Sequence, residues 1–158
     1  MTLSLSAEQR QAINTHAECA YPNECCGLLL GKTGPDCKVL VQVWPTSNTW
    51  NAQVAEDLDA DPSLSKSRRY WIAPEELLQA MRHARSQELD VIGIYHSHPD
   101  HSAVPSECDR QLAWPQYSYL IVSVQQGMAT DCLSWSLDDN HQFQPELLQV
   151  VETVPSWP

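Results

Sequence analysis

The first hydrophobic pattern along the chain has the period of a helix. Ile13 and Ala17 are four residues apart and would lie on one face of a helix. Ser6 is followed three residues later by Gln9, which is the pattern of a capping box at a helix start. These residues predict a helix that begins after Ser6, runs toward Pro22 and packs on a sheet.

Two strand-like runs follow this helix. They are residues 24–31 (ECCGLLLG) and residues 38–43 (KVLVQV). Gly34, Pro35 and Asp36 lie between them, and all three residue types favour turns. The pattern predicts a β-hairpin.

The hydrophobic pattern is lost over residues 45–67. Asn, Ser, Pro and acidic residues dominate there, which is the composition of a loop. A loop of this length is usually functional or mobile. We therefore expect a long acidic loop, and its composition is compatible with a lid, a docking surface or disorder.

Strand and helix patterns alternate along the rest of the chain. The predicted strands are residues 70–72, 90–98, 117–124 and 130–137, the last two pairing across a turn at Gly127. The predicted helices start at Pro74, ending near Gln87, and at Ser106, running toward Trp114. Residues 143–154 fit either element, because Pro145 and the leucine spacing favour a helix whereas the valines favour a strand.

The length and the mixture of elements indicate the fold class. A chain of 158 residues suits a single domain. Its apolar residues make up 42% of the sequence, which is enough to bury a core without disulfides. We predict one α/β (α+β) domain over residues 1–158 with one central sheet.

Composition and charge exclude several function classes. The formal net charge of -11 repels phosphate backbones, so nucleic acid is not an expected partner. No apolar run approaches the roughly 20 residues that span a bilayer, and the first ten residues lack the pattern of a secretory signal. We expect a cytoplasmic protein that does not bind membranes and whose six cysteines are reduced thiols.

His96, His98 and Asp109 are candidate metal ligands. The two histidines are two positions apart on a predicted strand, so both imidazoles point to the same face. Asp109 lies close after the predicted helix start at Ser106 and could fold back over the strand end. Imidazole and carboxylate suit zinc, and an open fourth position would lower the pKa of a bound water to about 7.

Glu24 and Ser106 are candidates for the remaining catalytic roles. Peptide hydrolysis needs a base near the metal, and Glu24 stands at the start of an apolar strand where burial would raise its pKa. Ser106 could donate a hydrogen bond to the oxyanion that develops on the attacked carbonyl.

Each of these residues also has a structural interpretation. His-x-His occurs by chance on strands, and Ser106 with Asp109 matches a helix-opening box. Glu24 could be a partly exposed acid before a strand. Cys25, Cys26 and Cys108 could instead bind a structural zinc, although none is part of a Cys-x-x-Cys pair.

Taken together, the residues resemble a known family. His96-Ser97-His98-Pro99, then Ser106 and Asp109, with Glu24 upstream, resemble the JAMM (MPN-plus) metallopeptidases, and the whole chain resembles their short free-standing prokaryotic branch. The resemblance implies that the histidines and the aspartate bind one zinc ion. It also implies that Glu24 acts on the zinc-bound water and that Ser106 assists the tetrahedral intermediate. The implied fold is a curved, mostly antiparallel sheet flanked by helices.

The resemblance also implies a substrate class. Small prokaryotic members resemble enzymes that cleave after the Gly-Gly tail of a ubiquitin-like, sulfur-carrier-type protein, so we expect such a protein as partner and a zinc-dependent peptidase or isopeptidase as function. Two alternatives stay open at this point. One is a non-catalytic MPN-type scaffold or binding module, and the other is a true deubiquitinase-type isopeptidase.

Overall fold

Seven strands and four helices make up residues 1–153, the part of the chain that the computed structural model describes. The strands are β1 (Thr2–Ser6), β2 (Cys26–Thr33), β3 (Cys37–Thr46), β4 (Asp90–Pro99), β5 (Ser118–Gln125), β6 (Met128–Leu137) and β7 (Phe143–Val151). The helices are α1 (Ala7–Ala20), α2 (Ala52–Asp57), α3 (Pro74–Ser86) and α4 (Glu107–Gln111).

The strands form one closed sheet in the order β1-β3-β2-β4-β5-β6-β7. The pairs β1–β3, β1–β7 and β4–β5 are parallel, and the other four pairs are antiparallel. The expected mixed domain with helices beside a sheet is therefore present. The expectation of a curved, mostly antiparallel sheet did not include closure: β1 pairs with both β3 and β7 and closes the sheet into a barrel.

Strand β1 was not predicted, and it decides the closure. Its five residues (TLSLS) do alternate between polar and apolar side chains, which is a strand pattern, but they run directly into the capping box at Ser6. They lie between the hairpin strand β3 and the last strand β7, which are distant in sequence. Pairing on both sides satisfies the backbone groups of β1 and leaves neither neighbouring strand with a free edge there.

The predicted helix starts are confirmed. Ser6 caps α1, its side chain accepting from the backbone of Gln9 while the Gln9 side chain accepts from the backbone of Ser6. Ile13 and Ala17 are fully buried on one face of this helix, against the sheet. Pro74 starts α3, which ends at Ser86.

The predicted strands are confirmed except for one. The hairpin of β2 with β3, the strand β4 and the β5–β6 pair match their predicted positions. β7 settles the ambiguous segment as a strand through Val151, and Val154 lies outside the described residues. Pairing with β6 and β1 outweighs the local helical pattern in this segment.

Residues 70–72 do not form the predicted strand. The backbone N–H of Trp71 donates to the side chain of Asn48 at 3.2 Å, and its carbonyl accepts from the backbone N–H of Thr49 at 2.9 Å. These two bonds satisfy the backbone of Trp71 without a strand ladder.

A short helix lies inside the segment that was expected to be a loop. Asn51 caps α2 by accepting from the backbone of Val54 at 2.9 Å. Trp50 is buried and its indole nitrogen donates to the carbonyl of Leu64 at 3.0 Å. Both contacts lie within residues 45–67 and hold the segment together. The backbone N–H of Glu24, which donates to the carbonyl of Lys66 at 2.8 Å, attaches the segment to the domain.

Two apolar clusters fill the protein. One lies between the sheet and α1, and the other lies between the sheet and α3. None of the helices within residues 1–153 combines the length and the apolar composition needed to cross a membrane. The start of β2 and the end of β4 meet where Cys26 pairs with His96, and the candidate site lies there.

Candidate metal centre and active site

The end of β4 presents two histidines to one point. His96 is fully buried and His98 is 7% exposed. Their Nε2 atoms lie 3.1 Å apart. The predicted same-face arrangement on a strand therefore brings one nitrogen of each ring to a common position.

The first turn of α4 brings a carboxylate to the same point. Ser106 caps α4, and its backbone N–H donates to Oδ2 of Asp109 at 2.8 Å. This oxygen lies 3.3 Å from Nε2 of His96 and 3.2 Å from Nε2 of His98. The capping box thus orients Asp109 toward the histidines, so the helix-opening role of the box is compatible with metal binding by Asp109.

The three donor atoms fit a tetrahedral zinc ion. Ligand bonds of about 2.0–2.2 Å at tetrahedral angles place donor atoms about 3.3–3.6 Å apart, and the observed separations of 3.1, 3.2 and 3.3 Å are close to the lower end of that range. Nδ1 of His98 lies 2.8 Å from the carbonyl of Ser102. Donation from Nδ1 leaves the Nε2 lone pair of His98 available for a metal.

The surroundings of His96 and Asp109 keep both in the form that binds a metal. Burial does this for His96. It lowers the pKa of His96, which favours the neutral ring, although Asp109 opposes this shift. Burial alone would raise the pKa of Asp109, but the two imidazoles beside it hold that pKa well below its usual range. A neutral imidazole and an ionised carboxylate are the forms that coordinate zinc.

Tyr70 covers the buried histidine. Its ring stacks on that of His96, with centroids 4.5 Å apart and an angle of 25° between the ring planes. The sequence gives no sign of this contact, since Tyr70 is 26 positions from His96 and is not part of the motif. The stacking restricts the orientation of the His96 ring.

Glu24 lies at the entrance to β2, next to the histidines. It is 5% exposed, and its Oε1 atom has no hydrogen-bond partner among residues 1–153. Burial raises the pKa of Glu24 well above its usual range, and the charge of Asp109 adds to this increase. Arg68 and Arg69 act in the opposite direction. A buried carboxylate with a free oxygen has the properties of a general base.

Ser106 shares a cavity with Glu24. The cavity measures about 290 Å³, and its walls include Glu24, His98 and Ser106. The hydroxyl oxygen of Ser106 accepts from the backbone of Asp109 at 3.1 Å. Its own proton is therefore available to an acceptor inside the cavity.

An apolar groove lies on the other side of Asp109. It measures about 230 Å³. Its walls come from residues before α3, from α3 itself and from α4 with the turn that follows it, and they include Tyr70, Trp71, Leu77, Asp109, Leu112 and Trp114. Trp114 is 56% exposed, so a large aromatic surface is available at the groove.

The side chain of Asn48 organises the segment opposite the metal ligands. Its Nδ2 donates to the carbonyls of Glu24 at 3.0 Å and Arg69 at 3.1 Å. Its Oδ1 accepts from the backbone of Trp50 at 3.0 Å and of Trp71 at 3.2 Å. The chemical motif did not identify Asn48, because its four partners come from three separate stretches of the chain.

The cysteines do not contribute to this centre. Within residues 1–153, the one group of three or more metal-binding side chains consists of His96, His98 and Asp109. Cys25 and Cys26 are buried, and burial raises the pKa of each thiol to about 12. Thiols in this state are protonated at neutral pH and behave as apolar side chains.

Comparison with known proteins identifies similar chains. The family model described as prokaryotic homologs of the JAB domain matches residues 6–138. A desampylase of Haloferax volcanii is 34% identical over 142 residues, which are 87% of this chain and 90% of the relative. A CysO-cysteine peptidase of Mycobacterium tuberculosis is 29% identical over 151 residues, which are 95% of this chain and 92% of the relative.

The fold is also found among solved structures. The crystal structure of a JAB1/MPN domain protein from Archaeoglobus fulgidus superposes with a TM-score of 0.55 at 18% sequence identity. The match covers 95% of this chain and 97% of the other. At this identity the similarity concerns the fold.

Proposed function

Because the chain belongs to the prokaryotic branch of the JAB-domain (JAMM) family, we propose that it is a zinc-dependent peptidase or isopeptidase. Its proposed reaction is hydrolysis of the bond after the C-terminal Gly-Gly tail of a ubiquitin-like, sulfur-carrier-type protein. The observation that carries the proposal is the convergence of three donor atoms within 3.3 Å of one another, beside a cavity that holds Glu24.

His96, His98 and Asp109 would hold the zinc ion. When bound, zinc supplies a Lewis acid that polarises the attacked carbonyl and makes water a nucleophile at neutral pH. His98 is oriented by the carbonyl of Ser102 and Asp109 by the backbone of Ser106. These contacts set the ligand geometry before any ion binds.

Glu24 is the proposed general base. Its raised pKa allows the carboxylate to accept a proton from water and to pass it to the leaving amine. Its Oε1 atom has no competing hydrogen bond within the described part of the chain. The position of Ser106 in the same cavity suits donation of its hydroxyl proton to the oxyanion.

The apolar groove beside Asp109 is the proposed binding surface for the substrate tail. Leu77, Trp114 and their neighbours offer apolar surface to an extended peptide. A tail that ends in two glycines is narrow enough to lie close to the metal ligands. The names of the desampylase and of the CysO-cysteine peptidase support a hydrolase that acts on small ubiquitin-like proteins.

Metal content and hydrolysis together test the proposal. Wild type should contain close to one zinc per chain, Asp109→Ala should lose it, and Glu24→Gln should keep it. Wild type should cleave a fusion in which a sulfur-carrier domain ending in Gly-Gly precedes the scissile bond, and Glu24→Gln should be at least about 100-fold slower, the lower range for a general base.

Two results would contradict the proposal. A metal-free wild type that does not bind added zinc would exclude the peptidase and favour the scaffold alternative. If Glu24→Gln cleaves the fusion at the wild-type rate, Glu24 is not the base. Ubiquitin dimers offered in parallel distinguish the sulfur-carrier specificity from that of a deubiquitinase.

A further inference from the structure

The cavity that holds Glu24 has a cationic wall. Arg68 and Arg69 line it together with Glu24 and Ser106. Arg69 also lines the apolar groove beside Asp109, so it lies at the boundary between the two spaces. The chain has only nine Lys and Arg residues, and two adjacent ones face this cavity.

Neither arginine is neutralised by the protein. Among residues 1–153, no carboxylate oxygen lies within 4.0 Å of the side-chain nitrogens of Arg68 or Arg69. The Nη1 of Arg69 donates to the carbonyl of Arg68 at 2.7 Å. In a chain with 20 acidic residues, two adjacent guanidinium groups without an ion pair leave charge available for an anionic ligand.

The backbone of these arginines is attached to that of Glu24. The backbone N–H of Glu24 donates to the carbonyl of Lys66 at 2.8 Å. Asn48 donates to the carbonyls of both Glu24 and Arg69 through one amide nitrogen. These hydrogen bonds hold the backbone of residues 66–69, which carries both arginines, next to the backbone of Glu24.

We propose that Arg68 and Arg69 bind the free α-carboxylate of a single-residue leaving group. This inference rests on the proposed function, and it makes the protein an exopeptidase that releases one amino acid from the tail of its substrate. In the reaction, the oxygen of water adds to the glycine carbonyl carbon and the C–N bond breaks. The proton that Glu24 takes from water goes to the leaving nitrogen.

The position of the arginines follows from this proton transfer. The carboxylate carbon of an amino acid is about 2.5 Å from its α-nitrogen. When Glu24 gives its proton to that nitrogen, Glu24 becomes anionic again and would repel the carboxylate of the leaving residue, which must enter the same cavity. The two guanidinium groups offset this repulsion and can bind both carboxylate oxygens.

An isopeptide leaving group does not meet this requirement. The ε-nitrogen of a lysine side chain is separated from the backbone by four methylene groups, so no carboxylate lies next to the protonated nitrogen. One relative, the CysO-cysteine peptidase, is named after a single amino acid, cysteine. The cationic wall therefore favours a one-residue leaving group over a protein-linked lysine.

Two matched substrates test this inference. Both are a sulfur-carrier domain ending in Gly-Gly-Ala, one with a free terminal carboxylate and one with a terminal carboxamide. Zinc-loaded wild type should cleave the acid with a kcat/KM at least about 10-fold above that of the amide, as expected for a charge-assisted pair. Arg69→Gln and Arg68→Gln should reduce this ratio toward one.

Controls separate the charge from its geometry. Arg69→Lys keeps the charge without the bidentate geometry and should give an intermediate ratio. Arg85→Gln changes an exposed arginine on α3 and should leave the ratio as in wild type. Equal losses for acid and amide in Arg69→Gln would indicate a structural role and overturn the inference.

A binding measurement makes the test independent of turnover. Zinc-loaded Glu24→Gln should bind the acid tail more tightly than the amide tail, and Arg69→Gln in that background should remove the difference. Equal cleavage of both substrates by wild type would overturn the carboxylate site and leave the proposed function intact. If wild type cleaves neither substrate, the proposed function fails, and the binding difference alone then decides whether the carboxylate site exists.

Discussion

The hydroxyl of Ser97 accepts a 2.7 Å hydrogen bond from the backbone N–H of Cys25, which is 72 positions away in the chain. The backbone N–H of Ser97 donates in turn to the carbonyl of Cys25 at 3.2 Å. Glu24 directly precedes Cys25, and His96 and His98 flank Ser97. One buried serine thus connects the proposed base to two proposed metal ligands.

Ser97→Ala is expected to weaken this connection. The buried N–H of Cys25 would lose its side-chain acceptor, which costs about 1–3 kcal/mol of stability. As a positioning residue, Ser97 should affect kcat more than KM, because the position of Glu24 matters mainly for proton transfer. Urea unfolding, zinc content and steady-state kinetics measure these effects.

Ser134→Ala is a matched control for this variant. Ser134 is also buried on a strand and donates to Glu146 at 2.9 Å, but it lines neither the cavity nor the groove described above. The Ser134→Ala variant should be less stable than wild type, while its kcat stays near that of wild type. A purely structural role for Ser97 would be indicated if both variants lost kcat to the same extent.

Variants of Asn48 should separate folding from positioning. Asn48→Asp keeps an acceptor for the backbones of Trp50 and Trp71 but cannot donate to the carbonyls of Glu24 and Arg69. It should reduce kcat/KM at least about 10-fold, the effect of a misplaced catalytic group. Thermal unfolding and steady-state kinetics of Asn48→Asp and of Asn48→Ala check this prediction.

Asn48→Ala should in contrast lose all four hydrogen bonds. We expect it to be less stable than Asn48→Asp by about 1–3 kcal/mol, since the N–H groups of Trp50 and Trp71 also lose their acceptor. Equal stability of the two variants would contradict the proposed role of the Asn48 oxygen.

The raised pKa of Glu24 predicts a pH-dependent effect on stability. At a pH above the ordinary pKa of a glutamate, the unfolded chain ionises this carboxyl freely, whereas burial opposes its ionisation in the folded protein. This penalty is absent at low pH and increases as the pH rises toward the folded pKa. Glu24→Gln removes the carboxyl, so it should stabilise the metal-free protein at pH 8 more than at pH 5.

Thermal unfolding of metal-free protein measures this difference. A gain in Tm of about 2 °C or more at pH 8, with little gain at pH 5, is expected from the enthalpy of a domain of this size. Glu88→Gln, at an exposed position, serves as the control. The same gain at both pH values would show that ionisation of Glu24 does not cause the effect.

Removal of zinc should destabilise the protein, and this effect should depend on the proposed ligands His98 and Asp109. Zinc at 100 times its dissociation constant stabilises the folded state by about 2.7 kcal/mol when it does not bind the unfolded chain. Added zinc should therefore raise the Tm of wild type and have little effect on His98→Ala and Asp109→Ala. Cys108→Ser should respond as wild type does, and a lost response there would favour a cysteine ligand.

Local patterns were sufficient for much of the fold. Capping boxes at Ser6 and Ser106, and Pro74 at a helix start, marked where α1, α4 and α3 begin. These signals work because each depends on interactions within one turn of the chain. Segments whose state depends on distant partners were predicted less well, as the strand at residues 70–72 and the helix α2 show.

The sequence by itself determined the candidate chemistry. The spacing of His96 and His98 placed them on one strand face, and the resemblance to a metallopeptidase family indicated Asp109, Glu24 and Ser106. The tertiary structure decided that the barrel closes through β1 and that Asn48, Ser97 and Tyr70 surround these residues. The reason is physical: residue type and short-range period record local preferences, whereas strand partners and buried hydrogen bonds depend on segments that meet only when the chain has folded.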